Sequence, residues 1–219
     1  MSDDDPPRKL GLQDAYGLET PDDNRALYRD WAETYEQDFI QPRGYVYHRN
    51  VVAVFATLDP VRSEPVLDVG CGTGIVGVEL AAAGFTEVDG IDISPEMLRE
   101  AGRKSVYRDL IVGDLTTTIS PADRSYRGIV SVGTFTHGHL GPESLGELLR
   151  VGDVGCRYAI GVNAEHYQSR GFARWFEIAT ARGVIDEPHI ESVVIYEAAD
   201  DDHRDDRANV VCFSKLVAD

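Results

Sequence analysis

Basic residues are scarce in this chain of 219 residues: 21 Lys and Arg stand against 38 Asp and Glu, for a formal charge of −17. Such acidity repels polyanions over long range, so nucleic acid and anionic membrane surfaces are not expected partners. It reads first as a solubility adaptation to a salty medium, where screening makes it tolerable, and second as a surface that recruits basic substrates. Cysteine is sparse too. Cys71, Cys156 and Cys212 are odd in number, widely spaced and without a CxxC pair, which argues against a disulfide framework and a zinc site; no metal is expected. No apolar run approaches the roughly 20 residues of a membrane span. The opening Met1-Ser-Asp-Asp-Asp-Pro-Pro has neither a basic n-region nor an apolar h-region, and the expectation is a reduced, cytoplasmic protein.

What the chain does have is Val66-Leu67-Asp68-Val69-Gly70-Cys71-Gly72-Thr73-Gly74-Ile75. Apolar residues around Asp68 read as a short buried strand. Glycines at alternate positions make a turn that a ligand can approach closely, because no Cβ stands in the way. A helix from Ile75 then points its free N–H groups and positive end at that turn. Gly72 to Gly77 also fits the GxGxxG string of a dinucleotide fold, in which a pyrophosphate meets the helix N-terminus. Here, however, an acid precedes the first glycine by two residues. An acid repels a pyrophosphate and attracts an ammonium or sulfonium group. Asp68-x-Gly70-x-Gly72-x-Gly74 therefore suits a cationic amino-acid nucleoside and resembles motif I of the class I S-adenosylmethionine (SAM)-dependent methyltransferases.

Two further acids fall where that resemblance implies them. Val88-Asp89-Gly90-Ile91-Asp92 reads as a second strand ending in a carboxylate that can accept from both ribose hydroxyls, as it would in a dinucleotide site too. Ser94 and Pro95 follow as N-cap and first residue of a helix. Leu110-Ile111-Val112-Gly113-Asp114-Leu115 reads as a third strand with an acid just past its end, the place where methyltransferases meet the adenine amino group. Tyr28-x-x-Trp31-Ala32-x-x-Tyr35-x-x-Asp38, the two acid-tipped strands, Lys104-x-x-Tyr107 and Val132-Gly-Thr-Phe-Thr-His-Gly-His139 look like the Williams–Beuren region methyltransferase-like proteins over roughly residues 25 to 165.

The order of elements is that of an α/β protein. Residues 1–24 are acidic and proline-bearing and read as a mobile arm. Residues 25–60 hold two helices, the first with Leu27, Trp31 and Tyr35 at helical spacing, the second over Tyr45 to Leu58; the first reads as a body-packed helix, a lid over the cofactor, or both. His48, near the start of the second, reads as a solvated surface group. Residues 61–219 form the SAM-binding domain. Its strands are expected at 66–69, 87–92, 106–112, 127–133 and 156–163, with helices from 75, at 95–103, 142–151 and 172–181. A closing hairpin is expected, with strands 189–197 and 209–217 and a solvated charged tip from 198 to 207. The fold expected is doubly wound, with helices on both faces of a mostly parallel seven-stranded sheet. Its order 3-2-1-4-5-7-6, last strand antiparallel, is implied by the resemblance.

The resemblance also implies a site. Asp68 with Gly70, Cys71, Gly72 and Gly74 should hold the methionyl part. Asp92 should take the ribose and Ile93 should pack against the adenine, with Met97 in the same cofactor site. Gly113, Asp114 and Leu115 should meet the adenine edge, and Gly133 should border the sulfonium. Tyr28 and Trp31 should close from the lid. Methyl transfer is an in-line displacement in which alignment and exclusion of water do much of the work. A base is needed only if the acceptor has a proton to lose, and His137 is the candidate catalytic residue, ahead of His139. Phe135 reads as a wall of the pocket. The function expected is methyl transfer from SAM, with S-adenosylhomocysteine (SAH) as product, to a small-molecule acceptor. Two rivals are a SAM- or SAH-binding protein without turnover and an NAD-dependent oxidoreductase.

Overall fold

A computed structural model describes residues 26–29, 31–40, 42, 44–136, 140–198 and 206–217. The expected acidic arm, the hairpin tip at 199–205 and the histidines at 137 and 139 lie outside the described residues. Strand β1 (Val66–Val69) is buried at all four positions, as its place at the centre of the sheet requires. Beside it run β2 (Val88–Asp92) and β3 (Asp109–Val112) on one side. On the other lie β4 (Tyr126–Phe135) and β5 (Gly152–Asn163), then the hairpin of β6 (His189–Val194) and β7 (Arg207–Ser214). The order is β3-β2-β1-β4-β5-β7-β6. The first five strands pair in parallel, and β7 runs antiparallel to both β5 and β6.

Alternation along β1 divides the core, since successive side chains point to opposite faces. Val66 joins helices α1 (Tyr47–Thr57) and α2 (Ile75–Ala82) on one face. Leu67 and Val69 join α4 (Leu145–Val151) and α6 (Phe172–Ala181) on the other. Between α2 and α4 in sequence, α3 (Pro95–Arg103) starts as expected. Ser94 Oγ accepts the Met97 N–H at 3.3 Å, with Pro95 in the first turn. At the end of α2, Gly84 takes φ +89°, and the N–H of Phe85 reaches back to Leu80 O, a left-handed stop that a side chain would oppose. No helix among the described residues is long and apolar enough to cross a membrane.

Several boundaries differ from expectation for local reasons. Helix α1 begins at Tyr47, not Tyr45, because Tyr45 forms a bridge with Tyr196, and Val46 N–H donates to Ile195 O at 2.9 Å. Strand β4 runs two residues past its expected end, slipping register between Ser131 and Phe135. The helix expected at Pro142 opens as a 3-10 turn over Pro142–Ser144. Helix α5 (Ala164–Ser169) was not expected; Asn163 caps it, accepting from the N–H groups of Glu165 and His166. The reading of His48 as solvated is corrected. It is 6% exposed, on the side of α1 that faces the sheet with Val51 and Phe55, stacked on Tyr45 and 3.6 Å from Glu79. Burial holds its pKa below the ordinary histidine value.

The N-terminal segment packs rather than swings free of the body. Trp31 is 1% exposed within the α1–α2 face of the core, with Leu27, Tyr28, Tyr35 and Ile40 packed beside it. A π-helical turn, Glu36–Ile40, follows. Lys104, at the end of α3, ties the segment down through Glu36 at 2.6 Å.

Candidate active site

The C-terminal ends of β1, β2, β3 and β4 open on one cleft of about 250 Å³. The glycine turn after β1 forms its floor. At Gly72 φ is +53°, and an added Cβ would meet nothing within 4 Å, so a side chain there would project into open space that a ligand can use. The turn is held from below by its own amides. Gly70 and Cys71 N–H both donate to Ile91 O, Gly72 N–H donates to Asp92 Oδ2 at 2.8 Å, and Gly74 N–H donates to Cys71 O. Four amides of the kind a phosphate uses are thus committed inside the fold.

Asp92 stands at the tip of β2 with one carboxylate oxygen on Gly72 N–H and the other on Ser94 N–H, at 2.9 Å. Burial raises its pKa, and those amide bonds oppose the rise. Each oxygen keeps a lone pair for a second donor. Asp114, past β3, lines the same cleft and turns Oδ1 toward the amide and hydroxyl of Thr116. Ile93, Met97, Gly113, Leu115 and Gly133 also line it, as does Cys71, whose thiol pKa is pushed up by burial and by the nearby carboxylates of Asp68 and Asp92. A neutral thiol there is a wall, not a nucleophile.

Four residues expected at the site do not reach the cleft. Asp68 is one residue short of the strand end and fully buried, on the same face as Val66. Its Oδ2 accepts the Tyr107 hydroxyl at 2.6 Å, and its Oδ1 has no hydrogen-bond partner among the described residues. Burial pushes its pKa up to about 7, against the lowering effect of Tyr107. Strand alternation decides this placement: Asp68 points under α2, not out of the tip. Gly74 is absent from the lining as well. Its missing Cβ leaves room for the ring of Tyr107, as do those of Gly77 and Gly90, where an added Cβ would lie 2.3 Å and 3.0 Å from that ring. Gly77 N–H donates to the Tyr107 hydroxyl at 3.1 Å. Trp31 is core. Phe135, expected as a pocket wall, is 0% exposed and packs edge-on against Phe172 on the opposite face of the sheet. The catalytic candidate His137 lies outside the described residues.

Other lining residues were not singled out from the sequence. Tyr35 and Tyr45 join Tyr28 in the wall that the N-terminal segment adds, where an added Cβ on Gly133 would lie 3.7 Å from the Tyr45 hydroxyl, and Leu140 and Glu143 line the cleft beyond β4. Tyr35 carried a signal in its spacing from Tyr28 and Trp31. Tyr45 carried none, because its bridge to Tyr196 spans most of the chain. Thr134 was visible only as part of a loop; its hydroxyl donates to Val69 O, and a Cβ on Gly70 would collide with it. Among the described lining residues there is no Lys, Arg or His. Among all described residues, no group of three or more His, Cys, Asp or Glu is placed to hold a metal ion.

Residues 66–152 match the family model described as a methyltransferase domain. The human methyltransferase-like protein 27 is 30% identical over 148 residues, which are 65% of this chain and 59% of that protein. The chain thus spans under two thirds of that relative's length. The 18S rRNA (guanine-N(7))-methyltransferase of Bos taurus is 42% identical over 67 residues, 31% of this chain and 24% of that protein. Among solved structures, a putative methyltransferase in complex with the Haloferax volcanii Trm112 methyltransferase activator superposes with a TM-score of 0.62 at 18% identity, covering 87% of this chain and 98% of that one. The chain shares its fold with that putative methyltransferase, and its strand order is the one the resemblance implied. An rRNA methyltransferase among the relatives gives no support to the charge-based exclusion of nucleic acid.

Proposed function

With a methyltransferase domain over residues 66–152 as the premise, we propose that this chain moves the methyl group of SAM to a small-molecule acceptor and releases SAH. The glycine turn is the observation that carries the reading. Its amides at Gly70, Cys71, Gly72 and Gly74 are spent on the fold, and the acids Asp92 and Asp114 stand at the next two strand tips. A dinucleotide pyrophosphate depends on free amides at such a turn and is repelled by acids. A sulfonium nucleoside is suited by the reverse arrangement.

In this reading Asp92 accepts from the ribose hydroxyls with the lone pairs its two amide bonds leave over. Ile93 and Met97 pack on the adenine, and Asp114 with Leu115 faces its edge. The open side of Gly72 gives room to the methionyl part, and Gly133 borders the sulfonium. Asp68 acts from behind the turn rather than touching the donor. Tyr28 and Tyr35 lie over the cleft and keep water from the reacting centre. For the acceptor, the formal charge of −17 and the lack of a basic side chain in the described lining support a small molecule over RNA, since a phosphate backbone would find no counter-charge.

Calorimetric titration with SAM, SAH, NAD and NADP tests the donor. SAM and SAH are expected to bind and the dinucleotides not to; binding of NAD with SAM rejected would sink the proposal. Formation of SAH from SAM in the presence of a metabolite extract then tests turnover.

A further inference from the structure

In the reading above, the tips of β3, β2 and β1 are taken in turn by the adenine, the ribose and the methionyl chain. The sulfur joins the ribose to the methionyl chain, so its third substituent faces the wall that remains, formed by the end of β4 and the N-terminal segment. That wall has an opening of methyl size. Gly133 lines the cleft, is exposed and takes φ +76°. A Cβ built on it would lie 3.7 Å from the Tyr45 hydroxyl. Beyond its two chain neighbours, no other atom of the described residues comes within 4 Å of that position. A slot therefore runs between the bare Gly133 backbone and a phenol oxygen. Thr134, the next residue, turns its own hydroxyl away under the glycine turn, donating to Val69 O at 3.0 Å.

Tyr45 is fixed in place before any ligand arrives. Its backbone bridges to Tyr196, and the following amide, of Val46, donates to Ile195 O at 2.9 Å. Its own N–H donates to Ile40 O at 3.2 Å. The ring lies flat on His48 at 5.6 Å and 7°, meets Tyr47 edge-on at 6.1 Å and leans on Tyr196 at 5.7 Å. Such bracing lowers the ordering cost of a contact made by the hydroxyl. A phenol oxygen keeps acceptor capacity even when it donates its proton. It can accept C–H groups polarised by a neighbouring positive charge, a contact that a neutral thioether does not offer.

We propose that this slot receives the transferable methyl group of SAM, and that the Tyr45 hydroxyl is the contact by which the cleft tells a sulfonium from a thioether. This rests on the methyl-transfer reading above. The methyl hydrogens of the sulfonium point at the phenol oxygen, which holds the methyl group in line for displacement. SAH has neither the methyl group nor the charge, so it leaves the slot empty and gains nothing from Tyr45.

The test titrates the full chain by calorimetry with SAM, SAH and sinefungin, in which a carbon bearing an amine replaces the sulfonium sulfur and its methyl group. Tyr45→Phe keeps the ring, its stacking and the backbone bridge, and removes only the hydroxyl. It is expected to weaken sinefungin about tenfold or more, as the loss of a hydrogen bond from a charged amine. SAM should weaken about two- to fivefold, as the loss of a C–H···O contact, and SAH should be unchanged. A merely structural role for the hydroxyl would shift all three alike. Equal shifts for the three probes, no shift in any, or a loss of SAH affinity as large as the loss for SAM overturns the inference alone. Failure of all three to bind the parent overturns the proposed function and the inference with it.

Discussion

The two sides of the cleft are built by different means. The strand-tip side is mostly backbone: a glycine turn pinned by its own amides to β2, backed by the buried Asp68–Tyr107 pair. The tyrosine side is mostly side chain: rings leaning on other rings, a bridge between Tyr45 and Tyr196, and the Glu36–Lys104 ion pair. Backbone geometry allows few substitutions without loss of the turn. A surface of stacked rings can be rearranged one ring at a time. The strand-tip side is therefore the fixed half of the site and the tyrosine side the adjustable half.

The largest expected effect falls on the adjustable side and tests how that side is anchored. Trp31 is 1% exposed, so Trp31→Ala removes a core side chain and should cost about 3–5 kcal/mol of stability. Urea melts measure this directly. A midpoint close to that of the parent would mean that Trp31 is not an anchor, and the contrast between the two sides would lose its basis.

The next effect belongs to the fixed side. Asp68 rises from 3.8 to about 7 on folding. Between those values the folded chain keeps a proton that the unfolded chain has released, so stability is greatest at the acid end and falls as pH rises from about 4 to about 7. The whole displacement corresponds to about 4 kcal/mol, as an order of magnitude. Asp92 shifts in the same direction. Asp68→Asn should therefore lose less stability than the parent between pH 5 and pH 8. Parallel losses in the two proteins would show that Asp68 ionises normally in the fold.

Third comes Asp92→Ala, which sharpens the division between the two sides. It removes two charge-assisted amide bonds and the proposed ribose acceptor. One such bond is worth about 1.5–3 kcal/mol, so SAM affinity should fall by about a hundredfold or more with the sheet intact by circular dichroism. Unchanged calorimetric affinity would remove SAM from this side of the cleft.

That same division explains what could be read from the sequence. The glycine turn and two of the three acids were legible because strand tips of a parallel sheet share one rim, and local pattern locates each tip; the strand order came only with the family resemblance, since spacing does not supply it. Asp68 was legible as a residue but not as a role. One step of strand alternation turns it from the tip to the underside, where Tyr107 fills the space left by Gly74, Gly77 and Gly90. His48 and Phe135 were misplaced for a related reason: a helix or strand pattern gives the period, not which neighbour lies on the far side. Tyr45 could not be found at all, since its place depends on pairing with Tyr196 about 150 residues later.

The smallest effect separates stability from closure on the tyrosine side. Lys104 and Glu36 are both partly exposed, at 23% and 34%, and 2.6 Å apart, so the pair should contribute under about 1 kcal/mol to folding. Yet it joins the end of α3, on the fixed side, to the turn that follows Tyr35, on the adjustable side. Lys104→Met should leave the unfolding midpoint nearly unchanged and raise the SAM dissociation rate a few-fold, since opening the cover requires breaking that one tie. Stopped-flow release of SAM at low and high salt distinguishes the cases. If the parent's release quickens with salt and the variant's does not, the ion pair gates the cleft. If both respond alike, the cover is held by its rings alone, and the two sides of the site open independently of charge.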